Sequence, residues 1–145
     1  MNKQMIAVIG GSKVDKHIYK LAQKVGRIIA ENNCILICGG KTGVMEAAAK
    51  GAHENNGLTI GILPGSDKNE ANPYIEIAIP TNLSHYRNAL IAQACDLAIA
   101  IDGSYGTLSE IAFCLNAGKK VLGLSTHEIE GIIKIKNVES IKKYL

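Results

Sequence analysis

At 145 residues the chain has the length of one domain, and a 47% apolar composition is enough to bury a substantial core. Aromatic residues make up only 4%, with no Trp, and a net charge of +3 is carried by scattered lysines, so neither a base-stacking platform nor a nucleic-acid or membrane patch is expected. No apolar run approaches membrane-spanning length, and Met5 to Ile9 is too short for a signal segment, which points to the cytoplasm.

Met5 to Ile9 is a continuous apolar run ending in Gly10-Gly11-Ser12, the pattern of a strand buried on both faces and followed by a tight turn. Ile18, Leu21, Ala22, Val25, Ile28 and Ile29 then recur at helical spacing and predict an amphipathic helix from about Asp15 to Asn32. Cys34 to Cys38 reads as a second buried strand running into Gly39-Gly40-Lys41-Thr42-Gly43. The helix after it, Val44 to about Asn55, is rich in Ala and Gly, which permits close approach to a sheet or to a partner. Leu58 to Leu63 is a third strand, stopped by Pro64-Gly65.

Ser66 to Pro73 is polar and is expected to be a mobile loop beside the site. Tyr74 to Ile79 alternates as a fourth strand with a more exposed face, and Ser84 to Cys95 reads as a helix with Leu90, Ile91 and Ala94 inward. The fifth apolar run, Leu97 to Ile101, breaks into Asp102-Gly103-Ser104-Tyr105-Gly106-Thr107, after which Leu108, Ile111, Ala112 and Leu115 supply a helical stripe closed by Gly118. Lys120 to Leu124 and Ile132 to Ile135 are further strands, and Val138 to Leu145 is a short lysine-rich helix. Strand and helix alternating at these spacings predict an α/β fold, residues 1–145 forming one doubly wound, mainly parallel sheet of about six to seven strands with helices on both faces.

Three strand-to-helix turns are therefore glycine-rich, and in a parallel sheet all three emerge at the carboxyl ends of strands, where open α/β folds bind ligands. Glycine lets the backbone come close to a ligand, and a helix start supplies unpaired N–H groups for an anion. The absences narrow the ligand. Gly10-Gly11-Ser12-Lys13 breaks the dinucleotide pattern, Gly39 stands where an acidic ribose-binding residue is needed, and the Gly40-Lys41-Thr42 imitation of a phosphate loop lacks its first glycine, which is Ile35. Asp102-Gly103-Ser104-Tyr105-Gly106 nearly forms a nucleophile elbow, but Asp102 replaces its first glycine.

Cys34, Cys38, Cys95 and Cys114 all lie inside apolar segments and read as buried reduced thiols. His17, His53, His85 and His127 show no metal-ligand spacing and read as surface or rim residues, so no metal site is expected. Glu110 carries two readings: Thr107-Leu108-Ser109-Glu110 matches a capping box, while the same position directs a carboxylate toward the mouth of the glycine turn. Arg87 is either a solvated helix residue or a fork suited to a phosphate.

The segment His85-Tyr86-Arg87-Asn88 through Asp96 to Glu110 resembles the LOG (Lonely Guy) superfamily, marked by an Arg-bearing helix followed by PGGxGTxxE. Gly39-Gly40-Lys41-Thr42-Gly43-Val44-Met45 is similar to its GG-x-x-G-(V/L)-M element, and Ile60-Gly61-Ile62-Leu63-Pro64 to its third strand. The similarity covers most of the chain and looks closest to a small-protein branch near the molybdenum cofactor carrier proteins. The resemblance implies a Rossmann-like fold, a homodimer or higher homo-oligomer, and a nucleoside 5'-monophosphate or similar phosphorylated small molecule as ligand. It further implies Arg87 and Glu110 as catalytic residues for hydrolysis of the base–ribose bond, with no cofactor required. The ligand-lining set would be Gly10, Gly11, Ser12, Gly39, Gly40, Gly43, Met45, Asn88, Gly103, Ser104, Tyr105, Gly106 and Thr107. Asp102 and Ser104 depart from the motif's Pro and Gly, and Asp102 would repel a phosphate unless it points away or pairs with Lys41. The alternatives are a non-catalytic carrier holding the molybdenum cofactor and a nucleotide-sensing domain.

Overall fold

The computed structural model describes residues 2–145. Seven strands form one sheet: β1 (Met5–Gly10), β2 (Ile35–Cys38), β3 (Thr59–Leu63), β4 (Ile77–Pro80), β5 (Leu97–Ile101), β6 (Lys120–Leu124) and β7 (Ile132–Lys134), in the order β4-β3-β2-β1-β5-β6-β7. Every neighbouring pair is parallel, so the expected doubly wound sheet is present without an antiparallel member. The helices are α1 (Lys16–Glu31), α2 (Val44–His53), α3 (Arg87–Ala94) and α4 (Tyr105–Asn116). None is long and apolar enough to cross a membrane among the described residues.

Strand side chains alternate between two apolar layers. Ile6, Val8, Leu36, Ile99 and Ile101 meet α1, α2 and the C-terminal 3-10 turn Val138–Tyr144, while Ala7, Ile9, Ile37, Ala98 and Ala100 meet α3 and α4. Each fully buried Ile or Leu contributes on the order of 1.5–3 kcal/mol, and β1 and β5, apolar throughout, take both faces into the core. Helix α1 starts where Asp15 Oδ1 accepts from the Ile18 N–H at 2.9 Å and buries Ala22, Val25, Ile28 and Ile29.

The small residues of α2 are consumed inside the chain. Ala47, Ala48, Ala49, Gly51 and Ala52 are buried, and a Cβ on Gly51 would run into the Gln23 carbonyl of α1, as one on Gly26 would run into the Ala48 carbonyl. The close approach that the Ala/Gly pattern permits is thus to α1 and the sheet, and that pattern does not argue for a partner.

Three local expectations change. The fourth strand begins at Ile77, because Asn72 Oδ1 accepts from the Tyr74 N–H (3.1 Å) and Thr59 Oγ1 donates to the Tyr74 carbonyl (2.7 Å), holding 72–76 as a turn. The polar 66–73 segment is tied down: its Asn72 N–H donates to the Gly40 carbonyl at 2.9 Å, and Lys41 pairs with Glu70 at 3.6 Å. In α3 the inward residues are Arg87, Asn88, Ile91 and Ala92, whereas Leu90 and Ala94 face outward.

Replacing Gly51 or Gly26 by Val should lower unfolding stability by about 3 kcal/mol or more, since backbone carbonyls rather than movable side chains occupy the space. Urea unfolding checks this, and a variant within about 0.5 kcal/mol of wild type would show the two helices free to separate.

Candidate functional site

The strand order reverses between β1 and β5, and the three glycine turns meet at this reversal on the carboxyl edge of the sheet. They interlock directly. The Val44 N–H donates to the Gly11 carbonyl and Thr42 Oγ1 to the Ser12 carbonyl, both at 2.9 Å. A Cβ on Gly10 would strike the Ile101 carbonyl, and one on Gly43, whose φ is +69°, would strike Gly11. Larger residues would push the turns apart.

Helix α3 delivers Arg87 to this edge in a buried position, 8% exposed. Its Nε donates to the Ile62 carbonyl at 2.8 Å, Nη2 to the Gly39 carbonyl at 3.4 Å, and Nη1 to Asn88 Oδ1. Asn88 in turn donates through Nδ2 to Ser109 Oγ at 3.1 Å, tying α3 to α4. Arg87 is therefore a buried, positioned guanidinium, and the solvated reading of it falls.

Helix α4 starts at Tyr105 with Ser104 as its N-cap, and no side chain caps it. The first backbone bond into the helix runs from the Leu108 N–H to the Ser104 carbonyl at 2.9 Å, which leaves the N–H groups of Tyr105, Gly106 and Thr107 without an acceptor among the described residues. Glu110 consequently sits in the second turn, not at the third helical position, and the capping-box reading is corrected: among the described residues nothing donates to its carboxyl, which opens onto the cleft.

That cleft has a volume of about 260 Å³. Gly10, Gly11, Ser12, Met45, Arg87, Asn88, Ser104, Gly106, Thr107 and Glu110, all among the expected site residues, border it, and so does His85. The sequence placed His85 only among surface or rim histidines, two residues before Arg87. The other expected lining residues act differently. Gly39 holds Arg87, and a Cβ there would come within 2.5 Å of Arg87 Nη2. Gly40 (φ +76°) packs against Leu63, Gly43 spaces the first two turns, Gly103 borders a neighbouring hollow, and Tyr105 is 86% exposed outside the cleft.

Burial pushes the Glu110 carboxyl up to about 8, with nearby Arg87 pulling the other way. Burial lowers the Arg87 pKa, opposed by Glu110. The two form no ion pair among the described residues, so desolvation dominates and the acid is held mainly neutral at pH 7. Cys38, beneath the site, is pushed up to about 12 by burial, and its Sγ accepts from the Gly40 N–H at 3.3 Å. All four cysteines are free and buried. Among the described residues, no three His, Cys, Asp or Glu side chains gather as a metal site.

The sequence model of the SLOG cluster4 family matches residues 3–144, and the chain belongs to that family. The structure of the molybdenum cofactor binding protein from the phototrophic bacterium Rippkaea orientalis is similar, with 32% identity, a TM-score of 0.93, and coverage of 99% of this chain and 96% of that one. The molybdenum cofactor carrier protein of Chlamydomonas reinhardtii is 30% identical with a TM-score of 0.90 over 99% and 96% of the two chains. A cytokinin riboside 5'-monophosphate phosphoribohydrolase of Rhodococcoides fascians is 31% identical over 96 residues, 63% of this chain and 48% of that protein.

The state of Glu110 carries a pH signature. It keeps its proton in the fold up to about pH 8 and loses it near 4.5 when unfolded, so the folded state binds more protons in between and stability falls as pH rises through that window. The slope is about 1.4 kcal/mol per pH unit at most, and the loss is complete above about 8. Glu110→Gln lacks this term, so wild type should lose stability relative to the variant between about pH 5 and about pH 8 in urea unfolding. A difference independent of pH would mean that Glu110 ionises as an ordinary carboxyl.

Proposed function

From its family and the chemistry of its cleft, we propose that this protein binds the molybdenum cofactor, a phosphorylated pterin, as a carrier that breaks no bond in it. The observation that carries this reading is the buried Glu110 carboxyl, which has no donor among the described residues and whose pKa burial pushes up to about 8, beside the uncapped start of α4. The cleft then offers a set of donors and no ionised carboxylate: the Arg87 guanidinium, the Glu110 hydroxyl and the N–H groups of Gly106 and Thr107. Such a set takes up an anion without like-charge repulsion. A bound phosphate favours the neutral acid further, so ligand and proton stabilise each other.

The phosphate would sit against the α4 start, with Arg87 neutralising its charge from beneath. Met45, with its flexible thioether, would pack against the ring system. Both solved cofactor-binding proteins cover nearly the whole chain, which supports a carrier more strongly than the partial match to the phosphoribohydrolase does.

Hydrolysis of a nucleoside 5'-monophosphate is the second reading, favoured by the meeting of Arg87 and Glu110 in one cleft. Cleavage of a base–ribose bond builds positive charge on the sugar, which an ionised carboxylate stabilises. A Glu110 that is mostly neutral at pH 7 supplies little of that charge, so any such activity would rise toward pH 8.

The two readings separate in one experiment. Purified protein is incubated anaerobically with the molybdenum cofactor, or with AMP and other nucleoside monophosphates, while thermal stability and free base are followed. The cofactor should raise the melting temperature, Glu110→Gln should bind it within about threefold of wild type, and no base should appear. Base release by wild type that disappears in Glu110→Gln would replace the carrier reading with the hydrolase.

A further inference from the structure

Continuous with the cleft through Gly11, Ser12 and Ser104 lies a second hollow of about 280 Å³, lined also by Lys13, Asp102 and Gly103. The backbone of Asp102 is held from two sides. Its N–H donates to the Leu124 carbonyl at 3.3 Å, and its carbonyl accepts from Thr126 Oγ1 at 2.7 Å. Its φ is +53°, a left-handed conformation that Asp and Asn adopt more readily than other side chains do. The carboxylate is thereby laid on the open face of the first glycine turn, where a Cβ on Gly11 would come within 2.8 Å of Oδ2.

Among the described residues nothing neutralises this carboxylate. Lys41 is engaged with Glu70, and among the described residues neither Lys13 nor any other cation pairs with Asp102. A fixed acceptor pair therefore borders a site whose other end is built from donors. The two ends differ in sign, and that gives a bound molecule a direction: phosphate toward Arg87 and α4, hydrogen-bond donors toward Asp102.

We propose that Asp102 selects ligands carrying a 2-amino-4-oxopyrimidine ring, the edge shared by pterins and guanine. That edge presents a ring N–H and an amino N–H side by side, which the two oxygens of one carboxylate accept together. Adenine presents an acceptor nitrogen at the same place and would face the carboxylate with a lone pair, so it is rejected. The selection rests on the reading that the adjoining cleft holds the ligand's phosphate.

The test uses two pairs of probes: 6-hydroxymethylpterin phosphate with its lumazine counterpart, in which oxygen replaces the 2-amino group, and GMP with IMP. Affinities are measured by calorimetry for wild type and for Asp102→Asn, which keeps the tolerance for positive φ but turns one acceptor into a donor. Wild type should prefer the amino member of a pair by about tenfold to a hundredfold, and Asp102→Asn should lose that preference, binding IMP about as wild type does and the lumazine, whose 2-oxo group its amide can meet, at least as tightly. Preference confined to the pterin pair identifies a pterin as the source of the ring, and preference confined to the nucleotide pair identifies guanine. A preference that survives in Asp102→Asn, or a wild type that binds all four alike, overturns the role of Asp102 and leaves the phosphate seat standing. Failure of wild type to bind any of the four overturns the phosphate seat, and the selection with it.

Discussion

The guanidinium of Arg87 is the constraint on which the site depends. Among the described residues it is a cation buried without a carboxylate in contact, and its N–H groups go to the carbonyls of Ile62 and Gly39 and to Asn88 Oδ1. A buried charge of this kind is tolerable only when its donors are met, and here the Ile62 and Gly39 carbonyls and Asn88 Oδ1 take three of its N–H groups. The same bonds fix the height of α3 against the sheet, and Asn88 transmits that position to α4 through Ser109. The cleft is the space these attachments hold open.

Around that cation the glycine turns do two different jobs. Gly10 and Gly43 are spacers, placed where carbonyls of neighbouring turns leave no room for a side chain. Gly11 and Gly106 leave backbone exposed to the cleft. Glu110 lies between these layers, too buried to ionise easily and too far from Arg87 to pair with it. The resulting site holds positive and donor groups at its centre and confines its free carboxylate, Asp102, to the adjoining hollow. Binding an anion and orienting it both follow from that division.

Much of the fold was legible because β1, β2 and β5 are unbroken apolar runs, the first two running straight into Gly, because Pro64 stops β3, and because the α1 stripe is regular. What misled was local and polar. The pattern Thr107-x-x-Glu110 satisfies a capping box, but the helix begins one turn earlier at Ser104, where the chain leaves Gly103 at φ +106°. Leu90 belongs by hydrophobicity to the inner face of α3, yet that face is taken by Arg87 and Asn88, and no apolar periodicity announces an inward arginine. Asn72 holds the chain as a turn where alternation suggested a strand. The meeting of Arg87 with Glu110 was legible from family resemblance alone. The neutral state of Glu110 was not, because it arises from burial that only the assembled fold creates.

A carrier site of this kind requires a neutral Glu110, and the most direct measurement of its state is a carbon-13 NMR titration of the Glu110 side-chain carboxyl in the free protein. The account predicts an inflection near pH 8, with the neutral acid dominant at pH 7. An inflection near the ordinary value of 4.5 would place a full carboxylate in the cleft and contradict it.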